Sequence, residues 1–265
     1  MTDEPIGKAK EIRDSAVVIV GGTSGVGLAA ARQFAEAGAR GVALIGRNAE
    51  RGARAVRAVR ETSPGANVVF QQGDSVNVVS ATAAFTRARE ALGGIDVLIN
   101  TTAASYVPKL LFRTEVDDIE PMLVQQALAP MIMSRLALPH MREQKSGVII
   151  NVASDAAKAP TPGETVIGAA MAAIVVFSRT LAVEAKRDGI RVNALTPSLI
   201  GGTDVYDRIM SDPFSAKLFS NAAKLAHLGV VQPEDLAAMM VFLASPAAAR
   251  LTGQAISING GISAA

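Results

Sequence analysis

A glycine-rich segment near the amino terminus has residue types and spacing that suit phosphate binding. It reads GGTSGVG over residues 21–27, follows the β-branched run Ala16–Val20 and precedes a helix-like pattern. Glycines let the backbone turn tightly and approach a pyrophosphate, while the free N–H groups of a helix start attract its negative charge. The segment therefore predicts a dinucleotide site. The residues expected to bind the cofactor here are Gly21, Thr23, Ser24, Gly25, Val26 and Gly27.

The end of the second apolar run distinguishes two forms of the dinucleotide. Arg47 and Asn48 follow Gly46 there. An acidic side chain at this position would bind the ribose hydroxyls of NAD(H), whereas a guanidinium suits the 2′-phosphate of NADP(H). Arg47 and Asn48 therefore favour NADP(H), the alternative being a solvated arginine at a helix start. Asp74, after the third run, either accepts a hydrogen bond from the adenine amino group or caps the next helix.

These residues lie in a regular alternation of short apolar runs and longer helical patterns. Val- and Ile-rich runs separated by helices predict βαβ units around a parallel sheet. We expect an α/β fold in a single domain at residues 15–265, a Rossmann-like doubly wound sheet of seven mainly parallel strands flanked by helices, after an N-terminal extension at residues 1–14. The expected strands are Ala16–Val20, Gly41–Ile45, Asn67–Phe70, Ile95–Asn100, Gly147–Ala153, Ile190–Leu195 and Ala255–Ile258. The expected helices are Leu28–Ala37, Ala49–Glu61, Val76–Leu92, Val116–Arg142, Thr165–Arg187 and Pro233–Ala244.

One long segment has no regular pattern. Thr196–Leu228 contains Tyr206, Pro213 and Phe214, and such a segment at the carboxyl end of a sheet often forms a lid over a site. The alternative is a surface connection with short helices.

Composition excludes several classes of function. The 265 residues are 49% hydrophobic and 19% charged with a net charge of +2, and the scattered basic residues predict no nucleic-acid surface. The absence of Cys and the presence of only His140 and His227 argue against disulfides, thiol nucleophiles and a metal site. The polar start and the short oily run Ile167–Phe177 predict a soluble cytoplasmic protein without a membrane segment.

The glycine turn and several later segments resemble the short-chain dehydrogenase/reductase family over nearly the whole chain. The family motif T-G-x-x-x-G-x-G matches Gly21, Gly25 and Gly27, with Val20 in place of Thr. The family motif N-N-A-G is present only as NTTA at 100–103. Further matching segments are GIRVNA at 189–194 with Pro197, QPEDLA at 232–237 and the closing stretch from TGQ at 252–254 to GG at 260–261. The resemblance implies Asn100, Pro197 and Ile200 as further cofactor-binding residues.

The same resemblance implies an unusual catalytic site. Family members use an Asn, a Ser, a Tyr and a Lys four residues after the Tyr, with hydride moving between nicotinamide and substrate carbon. Alignment of the segments around residues 151–184 places Ser154 on the Ser, Ile167 on the Tyr and Met171 on the Lys, and Gln126 falls on the Asn. Ile167 and Met171 share a helix face because they are four residues apart. We call these two residues the apolar wall.

The apolar wall lacks the groups that move a proton in the family. A phenol with a pKa of about 10 needs a nearby ammonium to titrate lower, whereas Ile167 and Met171 carry no proton donor. General acid–base help contributes roughly 10²–10⁴-fold in rate, so ordinary carbonyl reduction should be slow. Other groups near the site by sequence are Ser154, Asp155, Glu164, Tyr106 and Tyr206, and a bound water is a further alternative. The expected substrate pocket is lined by Tyr106, Ile167, Met171 and Tyr206.

Three functions remain open from the sequence. The first is an NADP(H)-binding oxidoreductase with a non-standard active site that reduces a hydrophobic or self-activating carbonyl, imine or alkene. The second is a non-catalytic nucleotide- or ligand-binding pseudoenzyme, or the silent subunit of a mixed oligomer. The third is a non-redox isomerase or cyclase. The expected partners are a small-molecule substrate or ligand and further copies of the chain in a homodimer or homotetramer, with no nucleic acid and no membrane.

Overall fold

A seven-stranded parallel sheet forms the centre of the molecule, in the order β3-β2-β1-β4-β5-β6-β7. The computed structural model describes residues 9–104 and 106–265. The strands are β1 (Ala16–Val20), β2 (Gly41–Gly46), β3 (Val68–Gln72), β4 (Val97–Asn100), β5 (Gly147–Val152), β6 (Ile190–Pro197) and β7 (Ala255–Ile258). Each neighbouring pair is parallel. The predicted doubly wound α/β fold is confirmed.

Helices cover both faces of this sheet. Along β1, Val17 and Ile19 belong to one buried cluster and Val18 and Val20 to another, because successive side chains of a strand point to opposite faces. Both sets are apolar, as a parallel sheet covered on two faces requires. The helices of the described residues are α1 (Gly25–Glu36), α2 (Ala49–Thr62), α3 (Val78–Leu92), α4 (Val116–Leu123), α5 (Ala129–Glu143), α6 (Thr165–Ala185), α7 (Asp204–Ser211), α8 (Pro213–Leu225) and α9 (Pro233–Ala244).

The predicted single helix Val116–Arg142 is wrong in one respect. Residues Val124–Leu128 form a π-helical turn between α4 and α5. Pro130 has no amide to bind the Gln126 carbonyl four residues earlier, so the regular hydrogen-bond register cannot continue through this point. Turns of this kind often lie at functional sites.

The irregular segment Thr196–Leu228 contains α7 and α8. Ser215 in the first turn of α8 is buried, and its Oγ donates to the Pro108 carbonyl at 3.2 Å. This contact joins α8 to the loop that follows β4. The short helices agree with the surface-connection alternative, and the role of the segment as a moving lid stays a prediction.

Helix α6 is unusually apolar. Among the described residues, Thr165–Asp188 is long and apolar enough to cross a membrane, with a mean hydropathy of 2.0, and half of its most apolar window is buried inside the fold. The shorter run Ile167–Phe177, on which the sequence-based expectation rested, is too short to indicate a membrane-spanning length. The buried side of α6 packs against β6 and α4, which is how a core helix of this fold is accommodated.

Candidate active site at the carboxyl edge of the sheet

The glycine turn lies at the point where the sheet order reverses. Val20 at the end of β1 pairs with Asn100 at the end of β4, so the turn and the β4 end are adjacent. Gly21 has a φ of +81°, a conformation that favours glycine. A Cβ on Gly27 would lie 2.4 Å from the Gly21 carbonyl oxygen. Both glycines are therefore required by this turn, in line with a close approach of the backbone to a ligand.

The start of α1 keeps its amide groups free for an anion. Ser24 is the N-cap residue, yet its side chain makes no capping hydrogen bond. The first turn of α1 also carries no acidic residue. A carboxylate there would compete with a bound phosphate for the positive end of the helix dipole. Thr23, Gly25 and Val26 complete this turn at half-buried positions.

Arg47 and Asn48 lie at the end of β2, next to the glycine turn. A Cβ on Gly46 would lie 3.1 Å from Thr23 Cγ2, which shows how close the two segments are. Arg47 is exposed, while Asn48 Oδ1 accepts a hydrogen bond from the Arg51 amide at 2.8 Å and caps α2. Arg47 is thus an exposed residue at the end of β2, close to the glycine turn.

Asp74 does not cap the helix that follows it. Its Oδ1 accepts a hydrogen bond from the Val76 amide at 3.1 Å. The N-cap of α3 is Asn77, whose Oδ1 accepts from the Ser80 amide at 3.0 Å. Asp74 remains half-buried at the end of β3, and the capping alternative for it is wrong.

A buried polar chain connects the ends of β4 and β5 to α6. Asn100 Nδ2 donates to Asn151 Oδ1 at 2.8 Å, and Asn151 Nδ2 donates to Ser178 Oγ at 2.9 Å. Asn100 is 1% exposed, and its Oδ1 has no hydrogen-bond partner in the described part of the chain. One acceptor therefore remains unsatisfied at the end of β4.

Further unsatisfied polar atoms lie along this edge of the sheet. Thr102 Oγ1 after β4, Asp155 Oδ1 after β5 and Thr196 Oγ1 in β6 are buried without a partner among residues 9–104 and 106–265. Buried polar atoms normally have partners because an unmade hydrogen bond is costly. Their concentration where parallel strands end fits a polar ligand in the crevice, such as a dinucleotide.

The remaining predicted cofactor residues border the same crevice. Pro197 ends β6 and is buried. Ile200 forms an isolated parallel bridge with Val231. This bridge fixes the first part of the connection between β6 and α7.

Ser154 and Gln126 hold backbone groups beside the crevice. Ser154 Oγ accepts a hydrogen bond from the Ala156 amide at 3.2 Å and is half-buried after β5. Gln126 lies in the π-helical turn, is 5% exposed, and its Oε1 accepts from the Ala104 amide at 3.3 Å. Gln126 thus supports the loop after β4.

The apolar wall is buried on one side of α6. Ile167 and Met171 are 9% and 7% exposed and share an apolar cluster with Met122 of α4. Ile167 also lines a cavity of about 220 Å³. Met171 lies within the cluster and not in the cavity lining. Ile167 and Met171 therefore share one buried side of α6, and Ile167 is the residue of the two that reaches the cavity.

The cavity lies between α4, the loop after β4 and the start of α6. Its lining residues are Tyr106, Val107, Lys109, Thr114, Asp118, Met122, Gly163, Thr165, Val166 and Ile167. Tyr106 lines this cavity, whereas Tyr206 on α7 is half-buried outside the lining. Asp118 and Met122 did not stand out in the sequence. Their spacing of four on an amphipathic helix is the signal that would have found them.

Two carboxyl groups flank the start of α6. Burial raises the pKa of the Glu164 carboxyl to about 7, the Asp155 charge adds to this, and a hydrogen bond with Thr161 opposes it. Asp155 is 4% exposed, and its Oδ2 accepts hydrogen bonds from Ser263 Oγ at 2.5 Å and Asn259 Nδ2 at 3.1 Å. Asp155 is therefore tied to the carboxyl-terminal segment.

Comparisons with known proteins agree with this architecture. The model of a family described as Enoyl-(Acyl carrier protein) reductase matches residues 20–263. The chain is 31% identical over 246 residues to 3-oxoacyl-(acyl-carrier-protein) reductase FabG of Chlamydia pneumoniae, with 93% of this chain and 96% of that protein covered. It is 31% identical over 250 residues to meso-2,3-butanediol dehydrogenase of Serratia marcescens, with 94% of each covered.

Solved structures give the same assignment. Levodione reductase superimposes with a TM-score of 0.87 at 27% identity, covering 92% of this chain and 96% of that one. L-Sorbose reductase from Gluconobacter frateurii, solved in complex with NADPH and L-sorbose, has a TM-score of 0.84 at 29% identity over 98% of each chain. From fold, glycine turn and relatives together, the chain belongs to the short-chain dehydrogenase/reductase family of oxidoreductases.

Proposed function

We propose that this protein is an NADP(H)-dependent oxidoreductase that works without the family's Tyr–Lys pair. Its substrate is a hydrophobic or self-activating carbonyl, imine or alkene. The observation that carries the proposal is the position of Ile167, which lines a cavity at the start of α6 with Met171 packed one turn further along. The resemblance to the family implies that these two positions correspond to its Tyr and Lys.

The chain's own residues fit the cofactor. The free amides at the start of α1 and the turn around Gly21 suit the pyrophosphate, and the exposed Arg47 suits a 2′-phosphate. The unsatisfied atoms of Asn100, Thr102 and Thr196 offer hydrogen bonds to the nicotinamide half. NADPH supplies a hydride for the substrate carbon when it is bound.

The protein contributes positioning and exclusion of water. The apolar wall keeps water away from the reacting carbon, and Ser154 offers its hydroxyl as a hydrogen-bond partner for the substrate. Neither group is an efficient acid. A substrate that develops an alkoxide would therefore react slowly, by roughly 10²–10⁴-fold relative to a site with a general acid.

The relatives act on small molecules, and we extend this to the present chain. We further propose that it is cytoplasmic and forms a homodimer or homotetramer through α5 and α6. The apolar exposed side of α6, discussed below, supports this assembly.

The first test is a titration with NADPH and NADH followed by nicotinamide fluorescence, which the absence of Trp makes clean. NADPH should bind more tightly than NADH. The substitution Arg47→Ala should weaken NADPH binding by roughly 10–100-fold, because a hydrogen bond to a charged group is lost. The affinity for NADH should not change. Arg54→Ala on the exposed side of α2 is the matched control.

Two outcomes would contradict the proposal. Failure to bind either nucleotide would remove the cofactor assignment. Tight NADPH binding with no turnover of any carbonyl, imine or activated alkene would instead favour the non-catalytic alternative.

A further inference from the structure

We propose that the substrate of this site is a preformed iminium ion, a permanently cationic C=N⁺ group carried on an apolar ring system. This inference rests on the proposed function and names its substrate class. Three features carry it: the apolar wall, which reaches the cavity through Ile167, and an unpaired carboxylate and an aromatic ring in the cavity lining.

The apolar wall suits a reduction that needs no proton. In this step the hydride forms a C–H bond at the iminium carbon, and the π pair of the C=N⁺ bond moves to nitrogen as a lone pair. The dihydronicotinamide loses two electrons and becomes the cation, while the product is a neutral amine. A ketone reduced at Ile167 would instead leave an alkoxide against hydrocarbon, which is costly.

The residue at the family's Lys position also matters for a cation. An ammonium there would repel an iminium ion across the crevice, and Met171 removes that charge. The other lysine near the start of α6 is engaged elsewhere, because Lys158 Nζ donates to Ser257 Oγ at 2.5 Å and to the Ala265 carbonyl at 2.6 Å. Lys109 is exposed at the cavity rim, where solvent screens its charge.

Asp118 supplies the opposite charge. It lies one helical turn before Met122 on α4, and both residues line the cavity. Met122 belongs to the same apolar cluster as Ile167, so Asp118 lies one helical turn from a member of that cluster. The Asp118 side chain is half-buried and forms no hydrogen bond or ion pair with another described residue. It is therefore available to a bound cation.

Tyr106 lines the same cavity. An aromatic ring attracts a cation through its quadrupole, most strongly when the cation is weakly hydrated, as an alkylated iminium is. Glu164, half-buried between the lining residues Gly163 and Thr165, adds negative charge when it is ionised. The cavity therefore combines hydrocarbon for a ring system with a carboxylate and a π face for its charge.

The test compares N-methyl-3,4-dihydroisoquinolinium with 1-tetralone, a neutral bicyclic ketone of similar size. NADPH oxidation is measured with each compound after subtraction of the uncatalysed rate, and the affinity of the protein for each compound is measured by calorimetry. We expect the iminium to bind more tightly and to have a kcat/KM at least roughly 100-fold above that of the ketone.

Variants of α4 separate a role of Asp118 from general effects on the fold. Asp118→Asn should lower both the affinity and the kcat/KM for the iminium by roughly tenfold, and its effect on the ketone should be clearly smaller because a neutral compound gains little from a carboxylate. Asp117→Asn, at the neighbouring exposed position, should change neither.

The outcomes distinguish this inference from the proposed function. If NADPH binds and the ketone is reduced as well as the iminium, or if the two α4 variants behave alike, the iminium assignment is overturned and the reductase stands. If neither nucleotide binds in the fluorescence titration, both proposals fall.

Discussion

The carboxyl group of Glu164 is buried where α6 begins, and this sets its protonation. Its pKa is raised from 4.5 to about 7, so the folded state binds its proton more tightly than the unfolded state does. A group with a raised pKa stabilises the fold below its unfolded pKa, and this contribution is lost as the pH rises through the folded pKa.

The fold should therefore lose stability between about pH 4.5 and pH 7 on account of Glu164. Glu164→Gln should remove this part of the pH dependence and raise the free energy of unfolding above pH 7 by up to about 3 kcal/mol relative to the wild type. Urea denaturation at a series of pH values measures this. Glu184→Gln on the exposed side of α6 is the control, and an equal effect of both substitutions would show that burial of Glu164 is not the cause.

For single residues, the sequence predicted which residues the glycine turn requires better than it predicted which residues contact each other. The conformation and crowding of Gly21 and Gly27 follow from local spacing and agree with the glycine turn that the motif indicated. The cavity position of Asp118 depends on how helices pack, which a single-sequence pattern does not specify. The cap of α3 at Asn77 is a local contact with the Ser80 amide, and an Asn before a helical pattern is the signal that would have found it. Asp155 illustrates the same limit, because its partners lie more than 100 residues away at the carboxyl terminus.

At the scale of elements, the turn between β1 and α1 is the most constrained part of the site. A Cβ on Gly27 would lie 2.4 Å from the Gly21 carbonyl oxygen and 2.6 Å from Thr101 Oγ1. Both neighbours belong to the crevice itself. Any added carbon must therefore move the glycine turn away from β4.

Gly27→Ala should destabilise the fold by about 1–3 kcal/mol, as overpacking does, and abolish NADPH binding. Gly38→Ala is the matched control, since a Cβ there meets nothing within 4 Å although φ is +77°. It should cost about 1–2 kcal/mol from backbone strain and leave NADPH affinity unchanged. Thermal unfolding and fluorescence titration measure the two effects. Retained NADPH affinity in Gly27→Ala would contradict the crowding argument.

Among the elements, β1, β7 and α9 have the predicted bounds residue for residue. The other strands differ from the prediction by one or two residues at one or both ends, because an apolar run marks the buried centre of a strand more clearly than its ends. The split of the long helix at Val124–Leu128 was missed, although Pro130 gave a local reason for it. Periodicity continues across a π-helical turn, so the pattern alone does not reveal the break.

At the scale of the whole molecule, α6 has apolar residues on both its sides. Val176 and Val183 are 61% and 62% exposed on the side that faces away from the sheet. Exposed apolar side chains aligned on one helix are typical of a contact between subunits. They support the proposed assembly through α5 and α6.

The double substitution Val176→Glu with Val183→Glu should convert the oligomer into a monomer, because it places two charges in a desolvated helix contact. Sedimentation velocity measures the mass. Val79→Glu, at a position on α3 that is 80% exposed, should leave the mass unchanged. A monomeric wild type would remove the assembly proposal.

We propose that hydride transfer beside the apolar wall proceeds without a general acid. The most direct measurement is the rate of NADPH-dependent reduction of 1-tetralone by the wild type, by Ile167→Tyr with Met171→Lys, and by Ile167→Phe with Met171→Lys, each checked for folding by circular dichroism. The Tyr–Lys variant should gain at least roughly 100-fold over the wild type, and the Phe–Lys variant should gain nothing. Equal rates for the wild type and the Tyr–Lys variant, or an equal gain with Phe, would contradict the account.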